Sequence, residues 1–523
     1  MLIQLVSSAL AWACHTSLIF FVLPVSFLLV WRLWRFTVRP WLRPHEPKEI
    51  PYWIPFLGHT VDFLRSSDKL IEYGLKYTGN NHEVFGVQTV DRKLYIVTDP
   101  QDVSAVFRDT ASLGFDGYLN ELLISFGFTK EAIKKIWHKP SDDDEKMISE
   151  TINPERMNFI HLAEDIFKRQ LLSGEKMDRI RDDIMSTLHQ SIQWRQLDYC
   201  TRHSNGNGKQ ISLYSLCRFT MVEAATRSLF GSHLHNLDPD IVENMLSFGD
   251  HAWQVIFRLP AFLNLDVTAP RKKLMDALRV FVQLPESERS EQAWAIKNVL
   301  DASDSFDIDF ESRASVLLLM YWAANANEHN IAFWVIAHIL YDENLLELVK
   351  RETEGAWPNG SLDINYLSNN CPHLEAAFNE ALRCYGGAVI SRKVLRKTII
   401  GNKELQPGHA IIIPSRQLHM NESAWGYDAR EFDHTRFLKN RSLDRHPAFR
   451  PFGGGVTYCP GRVLAKQQVY GMVAILFRRF DMKLAMRGNG VKPQFPRLDD
   501  TTPRLGIADP AKGMDVFVDM WEK

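Results

Sequence analysis

Cys459 is the residue of this sequence whose surroundings point most directly to chemistry. It lies in the segment PFGGGVTYCPGR, where three consecutive glycines let the backbone pass close to a flat and bulky group. Beyond this segment, apolar residues recur at helical spacing, at Val469, Val473, Leu476 and Phe480. Cys459 is therefore predicted just before a helix N-terminus, where the helix dipole and free N–H groups are expected to lower the pKa of its thiol. The resulting thiolate would be a strong, soft ligand for haem iron.

A buried and inert thiol is the other interpretation of a single cysteine before a helix, and the surrounding spacing decides between the two. The pattern F-x-x-G-x-x-x-C-x-G is filled by Phe452, Gly455, Cys459 and Gly461. This loop resembles the haem-binding loop of the cytochrome P450 family. The resemblance implies haem b (iron protoporphyrin IX) as cofactor, Cys459 as its axial thiolate, and a mainly α fold with a minor β-sheet.

Three charged residues fit the same resemblance. Glu380 and Arg383 form an E-x-x-R pair on one predicted helix face, and Arg383 precedes Cys459 by 76 residues, which suits the family. The segment EFDHTRF looks like the family's Phe- and Pro-rich meander; it keeps the Arg-Phe ending at Arg436 and lacks the common Pro-Glu. One carboxylate between two guanidiniums suits a buried, charge-assisted network. We predict that Glu380, Arg383 and Arg436 form such a network with a structural role.

Arg392 is predicted to bind a haem propionate, because the family often places such a partner at this position. Its planar fork matches a carboxylate, although an ordinary surface arginine is the alternative. Many members also carry Arg or His two residues before the cysteine, whereas this chain has Thr457. Arg392 is therefore expected to neutralise more of the propionate charge here.

A long apolar segment, Val316–Leu340, contains the polar run AANANEHN at its middle. Polar side chains midway along an apolar helix need partners and often mark a site, although a solvent-facing patch is the alternative. In most of the family this helix holds an acid and a threonine that deliver protons to oxygen. Alignment puts Ala326 at the acid and Asn327 at the threonine. Asn327 is predicted to contact oxygen, its water or the substrate, while the direct role of Glu328 is doubtful because it points away from Asn327.

The pattern W-A-x-x-A-N with a following Phe-Trp, together with the loop G-x-T-x-C-P-G-R, resembles one branch of the family. It is the branch of cholesterol 7α-hydroxylase, sterol 12α-hydroxylase and prostacyclin synthase. The resemblance implies a monooxygenase that hydroxylates a hydrophobic polycyclic substrate, such as a sterol or terpenoid, with electrons from NADPH–cytochrome P450 reductase. A haem-thiolate isomerase or dehydratase that needs no external electrons is one alternative. A non-catalytic haem-binding membrane protein is the other.

The N-terminal segment Ala9–Trp31 supplies the roughly 20 apolar residues that a membrane span needs. A cleaved signal peptide is the alternative, but positive charge follows the apolar run, at Arg32, Arg35, Arg39 and Arg43. Basic residues stay on the cytosolic side of a lipid bilayer. We therefore predict a single-pass anchor at residues 1–31 in the endoplasmic reticulum membrane, a basic and proline-rich spacer at 32–58, and a haem-thiolate catalytic domain at 59–523 that faces the cytosol.

Composition narrows the remaining possibilities. The 523 residues are 45% hydrophobic and 24% charged with a net charge of -2, so no basic face for nucleic acid is indicated. Six cysteines lie far apart without a CxxC pair, which argues against a zinc site and a disulfide framework. The elements that position Cys459 are predicted to be helices over most of residues 145–385. Short strands are predicted near Leu94–Thr98 and Ile411–Ile413.

Overall fold

A computed structural model of the chain describes residues 22–259, 265–486, 488–503 and 505–523. Its contacts divide the chain into two compact units. The first comprises Met1–Gly114 and Ile390–Pro414, and the second comprises Phe115–Val389 and Ser415–Lys523. The limits of these units do not fall at residues 31 and 58. The division into an anchor, a spacer and a catalytic domain stays a prediction.

The strands are short and are numbered here in chain order. They are β1 Lys48–Glu49, β2 Phe85–Gln88, β3 Lys93–Ile96, β4 Leu113–Gly114, β5 Thr201–Asn205, β6 Gly208–Ser212, β7 Val389–Val394, β8 Thr398–Ile400, β9 Lys403–Leu405, β10 Ala410–Pro414, β11 Phe480–Leu484 and β12 Phe517–Glu522.

A mixed sheet with the order β1-β2-β3-β10-β7-β4 organises the first unit, beside the β8-β9 hairpin. Both predicted strands are confirmed, as β3 and β10, and they pair in parallel with Tyr95 opposite Ile411. The predicted spacer adds β1 to this sheet, in parallel with β2. Ile50 in the same segment is completely buried, and its N–H donates to the carbonyl oxygen of Gly86. The segment therefore belongs to the packed unit.

Helices complete the first unit, and they are 22–33, the π-helical turn Trp34–Val38, Arg39–Leu42, Thr60–Tyr77 and Pro100–Arg108. Most of the predicted membrane anchor, from Ala9 to residue 21, lies outside the described residues. The described remainder, 22–31, is helical and exposes apolar side chains such as Phe27. Within the part of the chain that the structure describes, none of the helices combines the length and apolar character needed to cross a membrane.

Helices dominate the second unit, which confirms the predicted mainly α fold with minor sheets. Its small sheet is antiparallel, with the order β11-β12-β6-β5. Its α-helices are Asp116–Phe126, Lys130–Lys135, Phe159–Leu171, Glu175–Ser191, Leu213–Phe230, His233–Leu237, Ile241–Ile256, Leu265–Gln283, Trp294–Ser305, Phe310–Asn325, Glu328–Tyr341, Glu343–Glu354, Ile364–Asn370, Pro372–Tyr385, Ser415–His419, Glu422–Trp425, Thr435–Lys439 and Arg462–Arg479.

The apolar segment Val316–Leu340 is not one continuous helix. The helix Phe310–Asn325 ends within the polar run, and the helix Glu328–Tyr341 begins within it two residues later. Asn327 lies between them with φ -135° and ψ -26°, which is outside the helical region. Asparagine side chains that bind backbone elsewhere compete with helix formation, and Asn327 has such a partner.

The helix after Cys459 is confirmed as Arg462–Arg479, and it ends just before Phe480, the last of the predicted apolar positions, which begins β11. Residues 467–477 are all buried, so the helix presents no polar face along this stretch. Gln467 and Gln468 are buried there together with the predicted apolar positions. A helix that is buried on every side is typical of the core of a large protein.

Candidate active site around Cys459

The loop before Cys459 makes two turns that need glycine. Gly453 and Gly455 have φ angles of 77° and 64°, in the left-handed region that side chains with a Cβ rarely adopt. The Cys459 N–H then donates to the carbonyl oxygen of Phe452 across 3.1 Å, which closes the loop. The hydroxyl of Thr457 donates to the carbonyl oxygen of Gly454. The glycines predicted for close approach therefore also set the path of the chain.

Cys459 lines a cavity of about 410 Å³ within the second unit. The loop Val456–Gly461 forms one part of its wall, the helix Phe310–Asn325 contributes Leu319, Met320 and Ala323, and the helix Phe159–Leu171 contributes Phe167. The lining is mainly apolar, and the volume lies in the ordinary range for small-molecule sites. The arrangement is an apolar space with one thiol in its wall.

The charge state of the Cys459 thiol differs from the prediction. Burial raises its pKa above the ordinary value, and the nearby Glu328 carboxylate adds to this effect. The backbone N–H groups of Gly461 and Arg462, at the start of the helix, act in the predicted direction and lower the pKa, but burial outweighs them. The helix N-terminus alone therefore does not make this cysteine a thiolate, and a bound metal ion would have to remove the proton.

The residues around the cavity fit a haem group. Val456 exposes 65% of its surface and Tyr458 exposes 42%, and both face this cavity. Ala323, on the helix side, is also exposed to it. Apolar surface of this kind suits an apolar partner, and Sγ of Cys459 supplies the soft ligand that haem iron takes.

Glu380, Arg383 and Arg436 are brought together by the structure. Nε and Nη2 of Arg383 donate to the Glu380 carboxylate, across 2.8 and 2.6 Å, and Nε of Arg436 donates to it across 3.3 Å. Glu380 and Arg383 are fully buried, and Arg436 exposes 11% of its side chain. Burial lowers the pKa of both arginines, but Glu380 raises that of Arg383 above its usual value, and Asp428 together with Glu380 does the same for Arg436.

The same network fixes the backbone of the meander. Arg383 donates to the carbonyl oxygens of His419, Ala429 and Glu431, and Arg436 donates to that of Trp425. Charge-assisted bonds to backbone hold a segment that has little regular structure. This geometry fits the structural role predicted for the network. That folding requires the network stays a prediction.

Arg392 belongs to the first unit, on β7. It is 3% exposed, its guanidinium donates to the carbonyl oxygen of Ser391, and it lies over the ring of Phe107. Burial lowers the pKa of Arg392. It is not the exposed arginine of the alternative interpretation, and its predicted contact with a propionate stays a prediction.

The structure puts Asn327 and Ala326 in contacts other than those expected. The amide oxygen of Asn327 accepts a hydrogen bond from the Ile507 N–H across 2.7 Å. Ala326 lines a separate cavity of about 70 Å³, together with His329 and Asp509, and neither Ala326 nor Asn327 lines the Cys459 cavity. The catalytic role of this pair stays a prediction, while the contact seen here is with the C-terminal segment.

Charged residues that the sequence analysis did not assign to the site do line the Cys459 cavity. They are Glu164 and Lys168 on the helix Phe159–Leu171, and Glu328 at the start of its helix. Burial raises the pKa of Glu164 and raises that of Glu328 to about 7. Glu328 follows Met320 and Ala324 at intervals of four residues, so it lies on the same side of the segment as these two lining residues. Helical spacing alone does not say which helix faces the cysteine, which is why Lys168 was not found.

Known proteins resemble this chain over most of its length. The sequence model of the cytochrome P450 family matches residues 47–503. Cytochrome P450 monooxygenase poxD of Penicillium oxalicum is 27% identical over 477 residues, which cover 88% of this chain and 92% of the relative.

Two further relatives come from Oryctolagus cuniculus, and the name of the second one states a sterol. Cytochrome P450 7A1 of Oryctolagus cuniculus is 22% identical over 510 residues, or 90% of this chain and 93% of the relative. The 7-alpha-hydroxycholest-4-en-3-one 12-alpha-hydroxylase of the same organism is 24% identical over 500 residues, or 87% and 90%.

Proposed function

This chain belongs to the cytochrome P450 family, and we propose that it hydroxylates a hydrophobic polycyclic substrate such as a sterol or a terpenoid. Its family and its relatives make it a haem-thiolate monooxygenase, which takes electrons from a redox partner and binds a small molecule. The haem carries an axial cysteine thiolate. When bound, it supplies oxygen activation, because the sulfur ligand pushes electron density towards iron and favours O–O cleavage.

The chain's own residues would bind and orient this cofactor. Cys459 would hold the iron through Sγ, and Phe452, Gly455 and Gly461 would shape the loop that lies against the ring. Arg392 is proposed as a partner of one propionate. Lys168, as a cation in the wall of the cavity, is suited to a second acidic group.

The observation that carries the substrate proposal is the apolar wall of the Cys459 cavity. Leu319, Met320 and Phe167 line it, and Leu123 and Ile160 extend the apolar surface. A rigid polycycle loses little conformational entropy when it enters such a space, so apolar area converts well into affinity. The rabbit 12-alpha-hydroxylase, whose name states a sterol substrate, supports the same class.

The electron donor and the cellular location are also proposals. We propose NADPH–cytochrome P450 reductase as the donor, and a single-pass anchor in the endoplasmic reticulum membrane with the enzyme facing the cytosol. The apolar run before residue 31 and the arginines after it support this topology. An anchored enzyme also meets a substrate that partitions into lipid.

Substrate-induced difference spectra of the purified, haem-loaded full chain test the proposal. A panel of sterols and terpenoids should contain compounds that shift the Soret band at micromolar concentration, and acyclic fatty acids of similar carbon number serve as the matched control. Reconstitution with the reductase and NADPH should then give a hydroxylated product. A panel in which only the acyclic compounds shift the band would overturn the polycyclic assignment.

A further inference from the structure

We propose that the cavity of about 70 Å³ beside Asp509 binds a small organic cation through a primary ammonium group, an inference that goes beyond the proposed function. This space, here called the Asp509 cavity, lies within the second unit and is separate from the Cys459 cavity. Its wall is formed mainly by residues 505–509 and by the helices Ile241–Ile256, Phe310–Asn325 and Glu328–Tyr341.

His329 is the side chain that first indicates a ligand here. It lines the Asp509 cavity and is only 8% exposed, and its Nδ1 has no hydrogen-bond partner among the described residues. Buried polar atoms normally have such a partner. Burial, together with the nearby Arg218 charge, lowers the pKa of His329 to about 3. The imidazole is therefore neutral near pH 7, so it does not repel a cation and can accept a hydrogen bond from it.

Asp509 supplies a carboxylate whose hydrogen-bond donors are both neutral. Its Oδ1 accepts from the Tyr214 hydroxyl across 2.6 Å and from the Asn330 amide across 3.0 Å. The Arg218 guanidinium pairs instead with Asp250, across 2.8 Å. Burial raises the pKa of Asp509, and the Asp250 charge adds to this effect. A cation in the cavity would therefore stabilise the ionised Asp509 carboxylate.

The other polar groups of the wall favour a ligand that donates hydrogen bonds. The Asn325 amide nitrogen donates to the carbonyl oxygen of Tyr321 across 2.8 Å, which leaves its oxygen as an acceptor. The amide nitrogen of Asn330 donates to Asp509 in the same way. Among the residues described in this wall, none is a lysine or an arginine. Asn325, Asp509 and His329 thus offer acceptors, and a primary ammonium group has three N–H donors to match them.

The apolar part of the wall favours an organic cation over a metal ion. Trp253 and Trp322 line the cavity, and indole rings attract cations and pack against short alkyl groups. Within the part of the chain that the structure describes, no group of three or more His, Cys, Asp or Glu side chains is arranged to hold a metal ion. The volume lies far below the roughly 300 Å³ at which sites for larger ligands begin, so the ligand has only a few heavy atoms.

The Asp509 cavity does not share its entrance with the iron site. Glu328 lines the Cys459 cavity, whereas the next residue, His329, lines the Asp509 cavity, so the two spaces lie on different sides of this segment. Residues 500–501, next to the lining residue Thr502, are exposed. A small cation can therefore reach the Asp509 cavity from solvent without passing Cys459.

Propylammonium is the probe that tests this site, with the full, haem-loaded chain in its reduced carbon monoxide form. Carbon monoxide occupies the iron, so the amine cannot bind there and the Soret band should stay unchanged. Saturation-transfer NMR of the propyl protons should give saturable binding with a dissociation constant of about 1 mM, because so small a ligand has few atoms to contribute affinity. 1-Propanol, which has the same size without the charge, and propionate should bind at least about tenfold more weakly.

Two aspartate variants locate the charge that binds the probe. Asp509→Asn keeps the shape of the side chain and removes its charge, so the affinity for propylammonium should fall by about tenfold or more. Asp515→Asn is the matched control in the same C-terminal segment. The Asp515 carboxylate accepts from the Ser212 hydroxyl and the Tyr214 N–H, and it does not line the cavity. This variant should keep the affinity of the unchanged chain.

Gly249→Leu tests the same site without changing a charge. Gly249 lines the cavity on the helix Ile241–Ile256, and a Cβ there meets nothing within 4 Å, so a longer side chain can fill the space. Leucine also favours the helix more than glycine does, and this variant decides if Asp509→Asn fails to fold. We expect Gly249→Leu to abolish binding of propylammonium. Unchanged affinity in both variants, equal binding of 1-propanol, or no saturable binding to the unchanged chain would each overturn the proposal.

Discussion

The thiol of Cys459 must lose its proton where burial opposes the negative charge. Cys371 shows how strong that opposition is. It lies directly before the helix Pro372–Tyr385, and burial nevertheless raises its pKa to about 12. A position before a helix is therefore not enough to identify a cysteine as an iron ligand. What distinguishes Cys459 is the cavity beside it, and metal binding releases the proton because coordination favours the deprotonated form.

We expect Cys459→Ala to abolish the red-shifted Soret band of the reduced carbon monoxide form, because the sulfur ligand is gone. Cys371→Ala should keep that band, since Cys371 does not line the cavity. The measurement is the absorption spectrum of each variant, with both variants expressed and loaded with haem side by side. A thiolate-type band that survives in Cys459→Ala would refute the assignment of the ligand.

At the scale of elements, the Glu380 network ties the helix Pro372–Tyr385 to the meander. We expect Glu380→Ala to cost roughly 3–5 kcal/mol, because Arg383 would stay fully buried without its carboxylate. Little haem-loaded protein should form, as measured by the ratio of haem to protein after purification. Glu311→Ala removes an exposed ion pair with Arg279 and should cost no more than about 1 kcal/mol. Normal haem content in Glu380→Ala would contradict the network's role.

The contact between the helix break and the C-terminal segment is a second feature at this scale. A Cβ at Gly506 would overlap the Asn327 amide oxygen, so Gly506→Ala should displace that side chain from Ile507. Asn327→Ala should cost about 1–3 kcal/mol by leaving the Ile507 N–H without its partner. The double variant should cost little more than either single one, because both remove the same bond. Urea midpoints measure this, with Gly488→Ala as control, where a Cβ meets nothing within 4 Å. Additive losses would show that the two residues act separately.

The sequence predicts local pattern better than distant partners. The helix after Cys459, the strands β3 and β10, and the charged triad could all be placed from short motifs. The break at Asn327 could not, because the group that holds it, the Ile507 N–H, lies 180 residues further along the chain. Glu328 was not assigned to the site, because helical spacing does not show which face of the segment meets the cavity. The direction of the Cys459 pKa was predicted wrongly because a motif shows the helix start and not the burial.

At the scale of the whole molecule, the chain forms two units, and no linker sequence marks where one ends and the other begins. Residues 390–414 return to the first unit, where β10 pairs with β3, more than 300 residues earlier. The arginines that predict the orientation of the chain in the membrane are also part of this unit. Arg35 donates to Glu49, which is 5% exposed, and Arg39 and Arg43 pair with Glu46. The positive charge after the apolar run therefore also stabilises the fold.

At the same scale, a truncation tests the proposed membrane anchor most directly. Trp31 packs against Phe36 and Tyr52 at ring distances of 5.7 and 5.6 Å, so a deletion of residues 1–30 keeps this contact within the first unit. We expect the deletion to abolish retention in carbonate-washed membranes, because it removes the apolar residues that a span needs. The reduced carbon monoxide spectrum should stay unchanged, since the Cys459 cavity lies in the second unit. The matched control is the full chain with an N-terminal tag, which should remain tagged and membrane-bound. Loss of the tag by cleavage would identify a signal peptide, and a truncated enzyme that stays in carbonate-washed membranes would place the anchor elsewhere in the chain.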